Sequence, residues 1–141
     1  MNVRRLRRVV LVATLAISAM LPLAAARAIE PFVVGGVAAE AEGTDGQATR
    51  AAALAAAQVL AWQRLLERLV LPEDMVGAPA LTAPEIEPLI ASHEVESETP
   101  TSKKYAATYR FRFAPDAVRA LLAQKGLRFT EAVSQPLVVL P

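Results

Sequence analysis

The residues best suited to chemistry gather in one stretch, Ser92-His93-Glu94-Val95-Glu96-Ser97-Glu98. His93 is the single histidine of the 141 residues, and cysteine is absent. An imidazole is the side chain whose ordinary pKa suits proton transfer near neutrality. A Ser-His-Asp arrangement would need His93 as the base and Ser92, Ser97, Ser102 or Ser134 as the nucleophile. None of these serines sits in a Gly-x-Ser-x-Gly turn. A metal site needs several His, Cys or carboxylate ligands at fixed spacing. His93-Glu94 falls short of that, because neighbours on a strand point to opposite faces. Glu94 and Glu96 share a face at period two, and like charges there could raise one carboxyl's pKa. Arginines opposite them on a solvated face remove that effect. The pair Gly35-Gly36 is followed by neither a P-loop nor a dinucleotide-binding spacing. The expectation is therefore a chain with no catalytic, cofactor-binding or metal residue, and no cofactor.

The elements that carry these residues follow from periodicity. Pro31–Gly43 starts with β-branched and aromatic residues and ends in alternation, a half-exposed strand in which Gly35-Gly36 marks a bulge or a close backbone approach. A long helix follows, capped by Thr44 or Asp45 and ended by Pro72. Its apolar stripe is Ala55, Val59, Trp62, Leu66 and Leu69, widened by Leu54, Ala61 and Leu65. Arg50, Ala57, Arg64, Glu67 and Arg68 lie away from that stripe, and the small Ala51, Ala52 and Ala55 allow close packing on a sheet. Thr82 and Glu85 form a capping-box pattern before a helix that Pro88 holds to a turn or two. His93–Glu98 and Tyr105–Phe113 read as a hairpin. Tyr105, Ala107, Tyr109, Phe111 and Phe113 share one face, and Glu94, Glu96 and Glu98 face Arg110, Arg112 and the lysines. A helix starts at Pro115-Asp116, turns Val118, Leu121 and Leu122 inward, and stops at Gly126. "SQPLVVLP", Ser134–Pro141, reads as a last buried strand. The fold class expected is α+β: a mainly antiparallel sheet of about four strands with two or three helices on one face, ferredoxin-like in outline.

The N-terminus stands apart. Arg4, Arg5, Arg7 and Arg8 precede an apolar run, Val9–Leu23, and Ala26-Arg27-Ala28 is a small-x-small site. That is the layout of a cleavable signal-peptide helix, with Ala26 and Ala28 marking cleavage. The run is shorter than the roughly 20 residues a membrane-spanning helix needs. The domains expected are a signal peptide, 1–28, and one α+β domain, 29–141, delivered to the periplasm; a retained inner-membrane anchor is the alternative. Removing 1–28 takes five of the 15 basic residues and none of the 14 acidic ones, so the net charge becomes 10 − 14 = −4. Such a chain lacks the electrostatic footprint for nucleic acid. With no disulfides, it rests on its core.

"YRFRFAPDAVRALLAQKGL" followed by "QPLVVLP" resembles a family of exported bacterial proteins, domain of unknown function 2066. "AWQRLLERLV" and "SHEVESE" strengthen the likeness, which spans about residues 32–141. The resemblance implies an exported protein, offers no catalytic residue to carry over, and implies a chain that continues past Pro141. The last strand then reads as leading into more protein, with self-association through it where that is missing. Two functions fit. One is a non-enzymatic envelope interaction module that binds an unknown protein or envelope component through the hairpin face or a sheet edge. The other is an accessory domain of a longer envelope enzyme whose active residues lie beyond Pro141.

Overall fold

The computed structural model describes residues 30–131. The expected signal peptide with Ala26 and Ala28, and the expected last strand at Ser134–Pro141, lie outside the described residues. Within them the chain is α+β. Strand β1 (Val33–Glu42) leads to helix α1 (Gly46–Leu69), short helix α2 (Ala83–Ile86), strand β2 (Ile90–Pro100), strand β3 (Lys104–Phe113) and helix α3 (Pro115–Gln124). The three strands form one antiparallel sheet in the order β1-β3-β2. The described residues thus supply three strands where the sequence pattern predicts about four in a ferredoxin-like outline.

β3 is central because its sequence alternates most cleanly. Tyr105, Ala107, Tyr109, Phe111 and Phe113 are all buried toward the helices, while Arg110 and Arg112 face outward into solvent. Helix α1 crosses β1 and β3 on that apolar face. The Asp45 carboxylate accepts from the Gln47 and Ala48 N–H groups at 2.9 and 3.0 Å, satisfying two donors that a helix start leaves open. At the other end Val70 turns extended ahead of Pro72.

The buried stripe of α1 differs from the expected one. Ala53, Ala57 and Ala61 are fully buried, and Trp62, Leu65, Leu66 and Leu69 complete the face. Ala57 thus lies inside rather than away, Ala51 and Ala52 are exposed, and Ala55 and Val59 are half-buried on the flank. The reason is geometric. A ridge of alanines at every fourth position lets the helix settle onto the aromatic rings of β3, which rotates the stripe toward Ala57. Trp62 sits 6.1 Å from the Phe113 ring and donates its indole N–H to the Pro79 carbonyl at 3.0 Å.

The Glu85 carboxylate accepts from both the Thr82 N–H (2.8 Å) and the Thr82 hydroxyl (2.6 Å), starting α2 as its pattern anticipates. In α3, Val118 and Leu122 are buried and Leu121 is half-buried. Gly126 ends it at φ +68°, a left-handed conformation that favours glycine. The chain then returns to the far end of α1. Arg128 pairs with Asp74 through two bonds of 2.8 and 3.0 Å, and the Thr130 N–H donates to the Leu69 carbonyl. Glu131 closes on Arg119, whose guanidinium lies 5.2 Å over the Phe32 ring.

Candidate functional site

The two faces of β2 separate the residues that could do chemistry. His93 pairs with Phe111 on the helix side and stacks 5.9 Å from its ring. Glu94 points to the opposite face and binds Arg110 Nε at 3.0 Å. Among the described residues His93 contacts the Phe111 ring rather than a serine, and no group of three or more His, Asp or Glu side chains is placed to hold a metal ion. None of their helices is long and apolar enough to cross a membrane. Ser134 lies outside the described residues.

The outer face of the sheet holds a polar clasp across all three strands. β1 bulges between Val34 and Val37, where Gly36 takes φ +65°. β2 bulges between Val95 and Ser97, at Glu96. The Glu96 carboxylate accepts from the Gly36 N–H at 2.9 Å and from Arg110 at 2.5 Å. The Gly36 amide and the Arg110 guanidinium together hold its pKa below the usual carboxylate range. Gly35 makes room for this, since a Cβ there would lie 3.3 Å from the Arg110 guanidinium carbon.

The bulge at Glu96 also corrects the expected charge ladder. One extra residue shifts the side-chain alternation, so Glu98 lands on the helix side. There it accepts the Tyr105 hydroxyl at 2.6 Å, and this bond with burial pushes the tyrosine pKa up. Arg112 pairs instead with Glu30, and Lys104 with Glu40 at 2.6 Å.

The two sheet edges differ. On β1, helix α1 reaches round the edge with Arg68, which donates to the carbonyls of Val33 (2.7 Å) and Pro31 (3.2 Å), and with Arg64, which donates to Gly36 O at 3.0 Å. These carbonyls would otherwise accept bonds from an added strand. The sequence placed both arginines away from the stripe, yet not at the edge; that requires knowing which strand α1 lies beside. β2 has no such cover among the described residues and is exposed from Ala91 to Pro100. The Thr101 N–H donates to Lys104 O, so alternation through the bulge aims the backbone of His93, Val95 and Glu98 off the sheet.

Two recesses on the described surface lie away from the sheet's outer face. A cleft of about 690 Å³ lies between the start of α1 and the β2–β3 turn, lined by Gln47, Arg50, Thr101, Ser102, Lys104 and Tyr105. Arg50 sits 5.3 Å over the Tyr105 ring there. An apolar groove of about 360 Å³ runs between α1 and the connector at Val59, Leu66, Met75 and Leu81. Neither holds a nucleophile beside a base. The described surface thus sets an open strand edge next to a paired, solvated face.

Comparison with known protein families, with curated proteins and with solved structures finds no match.

Proposed function

We propose that the chain is an exported, non-enzymatic interaction module of the bacterial periplasm, acting by strand addition at a sheet edge. The observation that carries this reading is the long edge strand β2, which has no partner among the described residues. Strand addition draws affinity from backbone bonds and specificity from alternate side chains, and needs no catalytic group. The basic and apolar N-terminal pattern ending in Ala26-Arg27-Ala28 supports export, and the resemblance to domain of unknown function 2066 is in keeping with an envelope role.

The same proposal gives the sheet a fourth strand from Leu137–Leu140. β1 keeps one open stretch, since alternation from the Gly43 N–H to Lys103 O bond aims the backbone of Ala38, Glu40 and Glu42 outward, beyond the carbonyls held by Arg64 and Arg68. A strand there gives the ferredoxin-like neighbour order.

Fractionation of a Gram-negative host expressing the full chain tests the reading. The expected result is a periplasmic species with the mass of a chain beginning at Ile29, part of it eluting in a complex larger than the free chain. A membrane-bound full-length species, or a periplasmic chain that elutes only alone, would contradict it.

A further inference from the structure

We infer that the outer edge of β2 receives an extended strand rich in lysine or arginine. The inference rests on the strand-addition reading and adds the partner's chemistry. β2 carries Glu94, Glu96 and Glu98 and no lysine or arginine. Arg110 serves both Glu94 and Glu96, Arg112 is taken by Glu30, and Lys104 by Glu40. Three carboxylates on the edge strand thus meet one guanidinium from β3. The surplus is negative on both faces of the edge, with Glu94 outside and Glu98 on the helix side. A strand pairing with the outward backbone of His93, Val95 and Glu98 would set its own side chains beside these carboxylates. Half-exposed Val95 offers one apolar contact between them. Lysines or arginines flanking one β-branched residue match this sequence of chemistry. The same glutamates disfavour a second copy, since antiparallel pairing of β2 with itself would set glutamate beside glutamate.

The test is a titration of isotope-labelled chain 29–141, followed by backbone amide resonances, with two synthetic peptides that carry charge on both strand faces around one valine, Thr-Lys-Lys-Val-Lys-Lys-Thr and Thr-Glu-Glu-Val-Glu-Glu-Thr. The expected result is saturable shifts confined to β2 with the basic peptide, at least about tenfold weaker with the acidic one. Binding should weaken as sodium chloride rises from about 0.05 to about 0.5 M. Glu94→Gln combined with Glu98→Gln should reduce it, and a Val95→Pro variant, which removes one outward N–H, should reduce it independently of charge. Shifts centred elsewhere, equal response to both peptides, or no response would overturn the inference. So would contacts from residues 137–140 to β2 in the free protein, or concentration-dependent self-pairing at β2. If a periplasmic complex exists while the basic peptide fails, the partner chemistry falls and the module reading stands; absence of any complex removes the reading itself.

Discussion

Glu96 and Gly36 are complementary defects in two strands that do not pair with each other. A bulge in β2 aims the carboxylate back over β3, and a bulge in β1 turns an amide up to meet it. Gly36→Ala should cost about 1–2 kcal/mol. An added Cβ meets nothing within 4 Å, so the cost comes from φ +65° alone, and Gly36→Asn should recover part of it. Denaturant melts of the three chains check this. Glu96→Gln should lower the melting temperature near neutral pH. Because the folded carboxyl's pKa is depressed below its ordinary 4.5, its contribution is full above that value and is lost as pH falls through the folded pKa. The gap between parent and Glu96→Gln should therefore close in acid. Asp74, Glu85 and Glu131 are depressed in the same direction by Arg128, Thr82 and Arg119, so the parent itself loses stability as well. Thermal melts across about pH 7 to pH 3 read both effects.

At the scale of elements, what the sequence shows well is what alternation and capping encode. β3 buries the five residues its period-2 pattern places inside, and α1 starts at Asp45. Asp45→Ala should cost about 1 kcal/mol by leaving those helix N–H groups open. Trp62→Ala should cost about 3–5 kcal/mol, since the ring is 1% exposed and its N–H is bonded; circular dichroism melts measure it. Other features were not legible because they depend on pairing between distant segments. Whether Ala57 faces inward depends on how closely α1 settles on the sheet. Whether Glu98 faces Arg112 or Tyr105 depends on a bulge two residues earlier, and no local motif marks a bulge at Glu96. Gly35-Gly36 did mark the bulge in β1, because glycine is what a left-handed position requires.

At the scale of the molecule, the fold sorts its surface into closed and open parts. Arg64 and Arg68 occupy carbonyls along the first half of the β1 edge, and α1 covers the apolar face of β1 and β3. Among the described residues, β2 is left with its outward backbone to solvent. Glutamates on an edge discourage pairing with like strands while leaving it accessible to a basic one.

Site-specific photocrosslinking in the living envelope tests that placement most directly. A photoreactive residue would be introduced at Val95 on β2, and separately at Glu40 on the outer edge of β1 and at exposed Ala52 on α1. The account predicts a discrete adduct from Val95 and none from Ala52, with the Val95 adduct persisting when Arg64 and Arg68 are changed to glutamine. Adducts from Ala52 alone, or from Glu40 with none from Val95, would contradict it.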